Sequence, residues 1–96
     1  MTVVWYVKMR AVEGEEERVR QGLAKLVAPT RAVPGCLAFE VHQEANDPGA
    51  FSIYEQWEDY AAHEVHTRSD HFREIAKAIV IDHSQSMEAI ELELLE

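Results

Sequence analysis

The stretch Phe51-Ser-Ile-Tyr-Glu-Gln-Trp57 is followed, nine residues later, by His66-Thr-Arg-Ser-Asp-His71-Phe72. The first segment predicts a strand that ends in an aromatic side chain, with Glu55 and Trp57 on the same face as Phe51 and Ile53. A short helix between the segments, and another that starts near His71, would bring the histidines back to the end of that strand. This arrangement predicts a base and an aromatic wall around one pocket, in a chain too small for a large cofactor domain.

The composition excludes several classes of partner. The chain has 96 residues, which fits one domain over residues 1–96. Its formal charge is −9, and phosphate binding depends on Lys and Arg, so neither nucleic acid nor an anionic membrane is an expected partner. The lone Cys36 cannot form an intrachain disulfide, no signal peptide is recognisable, and no apolar run is long enough to span a bilayer. These features predict a soluble, cytoplasmic protein.

Periodicity predicts seven elements in the order β-α-β-β-α-α-β. The segment Asn46-Asp-Pro-Gly49 predicts a turn between the second and third strands. Strands are expected over Val3–Ala11, Leu37–His42, Phe51–Trp57 and Met87–Leu95, and helices over about 14–32, 59–66 and from residue 69 onward.

The last helix carries the clearest pattern in the chain. Ser69 is a predicted N-cap, and Asp70 follows in the first turn, where a carboxylate complements the positive end of the helix. Apolar residues then recur at the spacing of an α-helix: Phe72, Ile75, Ala76, Ile79 and Val80.

The element order predicts a ferredoxin-like α+β fold, in which a four-stranded antiparallel sheet carries its helices on one face. The helices cannot cover the second face of such a sheet. Trp5, Tyr6 and their neighbours make the strands apolar on both sides, and a large exposed apolar patch usually marks an interface. Two sheets packed face to face would bury this patch, which predicts a homodimer.

Three motifs, in their order and spacing, resemble the antibiotic biosynthesis monooxygenase family of the dimeric α+β barrel superfamily. They are Pro34-Gly35-Cys36-Leu37 at the second strand, Tyr54-Glu55-Gln56-Trp57 at the third, and His66-x-x-Ser69-x-His71-Phe72. The resemblance covers nearly the whole chain. It implies the dimeric barrel and an activity among those of the family, which include cofactor-independent quinol monooxygenases, small heme-degrading enzymes and a sugar-phosphate isomerase.

Two positions depart from the family pattern. Asp70 stands where members often have a proline, and it still suits the first turn of a helix. Heme-degrading members use an asparagine on the first strand, and the matching stretch Trp5-Tyr6-Val7-Lys8 contains none. This difference disfavours heme degradation.

Three titratable residues are the predicted catalytic groups: His71, Glu55 and His66. His71 would lie in the first turn of a helix, whose positive end disfavours the imidazolium and leaves a neutral base, and the resemblance supports this role. Glu55 shares a strand face with Trp57, and burial there would raise its affinity for a proton. The alternatives are structural, namely a His71 bonded to the preceding loop, a partly exposed His66 at a helix end, and a Glu55 paired with Arg73 or a histidine.

Apolar side chains on the third strand and the last helix form the predicted substrate wall: Trp57, Phe72, Ile75, Phe51 and Ile53. Plain core packing is the alternative for Trp57. His63 and His66 could touch one metal ion, but no carboxylate or cysteine stands at a recognisable ligand spacing. The chain also lacks a phosphate-binding glycine loop and a dinucleotide fingerprint, so no metal and no cofactor are predicted.

Together these features predict a cofactor-independent monooxygenase that acts on a small phenolic or quinol-like substrate. In this chemistry, which the resemblance implies, the substrate supplies the electrons, and the protein supplies a base, an aromatic wall and a dry pocket. Two alternatives remain open. One is an isomerase in which His71 and Glu55 move a proton across a small keto compound, and the other is a dimeric small-molecule-binding protein without catalysis.

Overall fold

The first strand, β1 (Val3–Ala11), lies inside the sheet, with β3 on one side and β4 on the other. The computed structural model describes residues 2–95, so the two ends of the expected 1–96 domain, Met1 and Glu96, lie outside the described residues. The remaining elements follow as α1 (Glu16–Arg31), β2 (Cys36–Glu44), β3 (Asp47–Trp57), α2 (Tyr60–Thr67), α3 (Phe72–Val80), a 3₁₀ turn (Ile81–His83) and β4 (Ser84–Leu92).

The four strands form one antiparallel sheet in the order β2-β3-β1-β4. This arrangement is the expected ferredoxin-like α+β fold, with the helices packed on one face of the sheet. None of the helices within residues 2–95 combines the length and the apolar composition that a bilayer crossing requires.

Alternation along the strands separates the two faces of the sheet. Trp5 pairs with Glu55 on the helix-facing side, whereas Tyr6 pairs with Ile90 on the open side. Of the two aromatic residues expected to make the open face apolar, only Tyr6 therefore lies there. The core fills the space between sheet and helices and consists mainly of Met9, Val19, Leu23, Leu26, Phe39, Phe51, Ile53, Ala76 and Val80.

Two side chains cap the helices that carry the histidines. The carboxylate of Asp59 accepts a hydrogen bond of 2.9 Å from the backbone N–H of Ala62, as expected for the N-cap of α2. The hydroxyl of Ser69 accepts one of 3.2 Å from the N–H of Phe72 at the start of α3. Both caps were predicted, because each depends only on neighbours in sequence.

α3 is wound as a π-helix instead of the expected α-helix. The N–H of Ile81 reaches the carbonyl of Ala76, five residues back, as well as that of Lys77. Ala76 and Val80 are its buried residues, while Ile75 is only half-buried. π-Helical turns are rare and are frequent at functional sites.

The strands β3 and β4 differ most from the sequence expectation, and β2 is also longer than the expected Leu37–His42. β3 begins at Asp47, whose carboxylate accepts from the N–H of Gly49 and pairs with Arg10, so the turn is shorter than predicted. β4 runs over Ser84–Leu92 because its partner β1 begins at Val3 and leaves little to pair with beyond that point. Both boundaries depend on pairing between strands that are distant in sequence.

At Gly35, the backbone just before β2 lies very close to α2. Its φ of +91° lies in the region that favours glycine. Its carbonyl accepts a hydrogen bond of 2.8 Å from the N–H of Glu58. A Cβ at this position would lie 2.6 Å from the Cβ of Ala62, so α2 rests directly on the bare backbone.

Candidate active site

A cavity of about 200 Å³ lies between the helix-facing side of the sheet and the helices α2 and α3. Its wall is largely apolar and includes Val7, Met9, Phe39, Ile53, Phe72, Ala76, Met87 and Ala89. Three titratable side chains, Glu55, His63 and His66, converge on it. An apolar pocket with a few convergent polar groups is the usual form of a small-molecule site.

Glu55 is a buried carboxylate with two partners from different elements. Only 5% of the residue is exposed. Its Oε1 accepts a hydrogen bond of 2.8 Å from Nε1 of the fully buried Trp57 and lies 3.4 Å from Nε2 of His63. The alternation of β3 turns the side chain of Glu55 toward the helices, and Trp57 holds it there.

His63 occupies the same face of α2 as His66, because residues three apart are neighbours on a helix. Its ring stacks on Trp5 with centroids 5.7 Å apart and meets the edge of Trp57 at 5.8 Å. Its Nε2 lies within ion-pair distance of the Glu55 carboxylate, at 3.4 Å from Oε1. The carboxylate of Glu55 and the imidazole of His63 therefore lie side by side at the cavity wall.

His66 is one of the most deeply buried polar residues, with 2% exposure. Its ring stacks on Trp57 at 5.0 Å and meets the edge of Phe72 at 5.3 Å. Burial lowers the pKa of His66 to about 4; the charge of Glu55 opposes the shift, while His71 and His63 add to it. At neutral pH His66 is thus uncharged.

The hydrogen bonds around Ser69 identify which nitrogen of His66 carries the proton. The hydroxyl of Ser69 donates to the carbonyl of His66 at 2.6 Å, and a hydroxyl has one proton to give. Nε2 of His71, 3.1 Å from that same oxygen, must then be the donor. Nε2 of His71 also lies 3.1 Å from Nδ1 of His66, so one proton is shared between the two contacts and Nδ1 carries none. The proton of the neutral His66 ring accordingly sits on Nε2.

His71 lies beside His66 and is not among the residues that line the cavity. The centroids of the two rings are 5.2 Å apart. Partial burial lowers the pKa of His71, and the neighbouring carboxylate of Asp70 opposes this shift. His71 thus contacts His66, which lines the cavity, but does not line the cavity itself.

Of the eight residues predicted for the site, four line the cavity: Ile53, Glu55, His66 and Phe72. The other four stand outside its wall. Trp57 and His71 contact the cavity residues, while Phe51 and Ile75 belong to the core or pack against it. Arg73, considered as a partner for Glu55, instead pairs with Asp70.

Sequence reasoning missed Trp5 as a wall residue and did not place His63 among the predicted catalytic groups. Trp5 could have been identified because alternation along the strand puts it on the same face as Val7 and Met9. The signal for His63 was its spacing of three residues from His66. Within residues 2–95, no three His, Cys, Asp or Glu side chains are grouped so as to hold a metal ion.

Comparison with known proteins agrees with this architecture. The family described as antibiotic biosynthesis monooxygenase matches residues 2–78. No curated protein shows significant sequence similarity to the chain. A solved structure from Pseudomonas aeruginosa is 32% identical, with a TM-score of 0.91 over 99% of this chain and 95% of that one.

Two further solved structures extend the comparison. One, described as an antibiotic biosynthesis monooxygenase, is 26% identical, with a TM-score of 0.89 over 100% of both chains. Another, from Bacteroides thetaiotaomicron and described as a possible oxidoreductase, is 20% identical, with a TM-score of 0.88 over 97% of both chains. At that lower identity the likeness concerns the fold alone. The family match spans most of the chain, and this protein therefore belongs to the antibiotic biosynthesis monooxygenase family.

Proposed function

We propose that the protein is a cofactor-independent monooxygenase acting on a small phenolic or quinol-like compound. The observation that carries the proposal is the convergence of a carboxylate–imidazole pair and a neutral imidazole on one apolar cavity. Family membership supports the same reaction class. An engineered cavity of about 150 Å³ holds benzene, so the volume of about 200 Å³ found here suits a substituted ring.

The proposed reaction balances without a cofactor. One hydroquinone and one dioxygen give one hydroxyquinone and one water. Removal of a hydroxyl proton lets the substrate anion pass an electron to dioxygen, and the two radicals join through a new carbon–oxygen bond. The O–O bond of the resulting hydroperoxide then breaks, one oxygen stays on the ring, and the other leaves as water.

In this proposal His63 is the general base. Glu55 lies 3.4 Å from Nε2 of His63, and in the proposed reaction its charge stabilises the ring after Nδ1 has taken the hydroxyl proton of the substrate. Trp57 fixes Glu55 by its hydrogen bond. A carboxylate that orients an imidazole and stabilises its protonated form is a recurring catalytic arrangement.

His66 has a different proposed role because its pKa of about 4 makes it a weak base. Its Nε2–H donates a hydrogen bond to the oxygen that becomes anionic. A donor that needs no reorganisation stabilises developing charge strongly in a site that excludes water. His71 is a positioning residue in this scheme, since it holds the tautomer of His66 through Nδ1.

An aerobic assay tests the proposed function. Metal-free and flavin-free protein is mixed with a panel of hydroquinones and naphthohydroquinones, and oxygen uptake is measured with product mass. We expect oxygen uptake matched by one hydroxyquinone per dioxygen, with ¹⁸O from ¹⁸O₂ in the product. Conversion that continues without oxygen would instead favour the keto-compound isomerase, and binding without conversion would favour a non-catalytic binding protein.

We also propose that two copies associate through the open faces of their sheets. Ile90 and Leu92 of β4 are 37% and 42% exposed, and Ile90 lies beside Tyr6 on that face. A monomer would leave these apolar groups in water. The dimeric arrangement implied by the superfamily resemblance supports this assembly.

A further inference from the structure

The carboxylate of Glu55 has one oxygen that is engaged and one that is free. Oε1 accepts from Nε1 of Trp57 and lies against His63, whereas Oε2 has no hydrogen-bond partner among the described residues. Of the unpaired polar side-chain atoms in that part of the chain, Nε1 of Trp5 and Oγ1 of Thr30 are sealed from solvent, and Oε2 of Glu55 is not. The Glu55 side chain keeps 7% of its surface accessible, and Glu55 lines the cavity. Oε2 is therefore an acceptor that a ligand in the cavity can reach.

No cationic side chain balances the charge of this carboxylate at the cavity. The described residues that line the cavity include neither Lys nor Arg. Burial lowers the pKa of His66 to about 4, so this wall residue is uncharged at neutral pH. His63, the base of the proposed function, begins the reaction uncharged as well. A carboxylate in an apolar site is unfavourable unless a positive charge compensates it, and here that charge is left to the ligand.

The aromatic part of the cavity wall suits a cation as well as it suits a ring. Trp5, Phe39 and Phe72 contribute their side chains to it. Aromatic rings attract cations through the negative charge on their faces, and ammonium groups are commonly bound by several such rings. The formal charge of −9 on the whole chain also favours the approach of a cation. Local and overall electrostatics therefore act in the same direction.

We infer that the cavity selects a ligand with a cationic amine, which donates a hydrogen bond to Oε2 of Glu55. This inference rests on the proposed function and narrows its substrate class to phenols that carry an ammonium group on a short side chain. His63 and His66 address the hydroxyl of such a ligand, while its ammonium group compensates the charge of Glu55. A phenol with a carboxylate side chain would bring a second negative charge into the same apolar cavity, so it binds least tightly.

Three phenols that differ in charge but little in shape isolate this contact. 2-(4-Hydroxyphenyl)ethylamine is cationic at neutral pH, 2-(4-hydroxyphenyl)ethanol is neutral, and 4-hydroxyphenylacetate is anionic. Calorimetry gives the dissociation constant of each with the wild-type protein. We expect the amine to bind on the order of tenfold more tightly than the alcohol, because a hydrogen bond to a charged group contributes roughly that factor. The acetate should bind more weakly than both.

Two glutamate variants show whether Glu55 is the cause of this preference. Glu55→Gln removes the charge and keeps a side-chain oxygen that can accept from Nε1 of Trp57. The ratio of the alcohol to the amine dissociation constant should fall on the order of tenfold in this variant. Glu58→Gln removes the same charge from an exposed position outside the cavity wall and should keep the wild-type ratio. The comparison separates a contact at Oε2 from the general attraction of an acidic chain for cations.

The indole N–H of Trp57 provides a measurement that needs no variant. It donates to Oε1 of Glu55, and an ammonium group at Oε2 makes that carboxylate a weaker acceptor. In ¹⁵N–¹H spectra of the wild-type protein, with the indole signals assigned through the backbone, we expect the amine to move the Trp57 proton signal upfield. The shift is measured relative to the alcohol at equal saturation.

The results that would overturn the inference are distinguishable from failure of the proposed function. Equal affinity for the amine and the alcohol, or a ratio that falls as far in Glu58→Gln as in Glu55→Gln, would remove the cation site and leave the phenolic pocket standing. Failure of all three ligands to bind would remove the phenolic pocket as well. If Glu55→Gln does not fold, the affinity order and the Trp57 signal of the wild type decide.

Discussion

Nδ1 of His66 lies 3.1 Å from Nε2 of His71, and this contact gives the two histidines unequal tasks. His71 donates, because the single proton of the Ser69 hydroxyl is already directed to the carbonyl of His66. His66 accepts at Nδ1 and therefore presents a protonated Nε2. His66 thus presents a donor to the cavity, and the proposed function assigns the base to its neighbour His63.

Replacing each histidine separately should show which of them contributes most to kcat. We expect His63→Asn to lower kcat on the order of a hundred- to ten-thousand-fold, the usual contribution of a positioned general base. His71→Asn should lower kcat about tenfold with little change in KM, because it disturbs only the partner of His66. Steady-state oxygen uptake measures both, and His42→Asn, an exposed site, is the control. A larger loss in His71→Asn than in His63→Asn would return the base role to His71.

Glu55→Gln should separate catalysis from stability. Glutamine keeps an oxygen that can accept from Nε1 of Trp57, so the melting temperature should change little. It cannot stabilise a protonated His63, so kcat should fall on the order of a hundredfold or more. Glu58→Gln, an exposed neighbour, is the matched control. Full turnover in Glu55→Gln would contradict the role of the carboxylate.

Stability should fall as the solution is acidified. Burial lowers the pKa of His66 from 6.5 to about 4, so between these values the unfolded chain binds a proton that the folded protein excludes. The free energy of unfolding therefore rises with pH across that window. We expect His66 alone to account for a loss on the order of 3 kcal/mol between pH 7 and pH 4. The lowered pKa of His71 acts in the same direction.

Urea denaturation at successive pH values measures this effect. Carboxylates also titrate in acid, so the comparison with His66→Phe isolates the contribution of His66. Phenylalanine keeps an aromatic ring against Trp57 but cannot take up a proton. The free energy of unfolding of the wild type minus that of His66→Phe should therefore decrease as pH falls. Parallel curves for the two proteins would show that His66 titrates normally.

A charge on the open face of the sheet should dissociate the proposed dimer. Ile90→Lys places an ammonium beside Tyr6, where a sheet-to-sheet interface would have to bury it. Sedimentation of this variant should show a monomer at micromolar concentration while the wild type sediments as a dimer. Val65→Lys, on the exposed side of α2, should remain dimeric. A monomeric wild type would contradict the assembly.

Sequence-local signals predicted much of the fold. β1 was predicted with its observed limits, and the caps at Asp59 and Ser69 were predicted because a cap needs only its own helix. The end of β4 was wrong by three residues, since the alternation of Leu94 continues where β1 no longer offers a partner. The π-helical winding of α3 could not be predicted, because the spacing of its apolar residues also fits an α-helix.

The candidate site was less accessible to sequence reasoning. The parity of β3 put Glu55 toward the helices, and this much could be predicted from the strand pattern. That Glu55 meets His63, and not Arg73, depends on where α2 sits on the sheet. Likewise, the position of His71 outside the cavity wall depends on the rotation of α3, which no local pattern specifies.

Gly35 lies outside the cavity wall, but its contact with α2 helps to set the width of the cavity. A Cβ at Gly35 would press on Ala62, so any side chain there must push away the helix that carries His63 and His66. A designer who wants to admit larger ring systems would therefore begin at this outer joint, where one methyl group acts as a spacer. Natural variants with another residue at this position are expected to hold α2 farther from β2 and to accept a broader range of ligands.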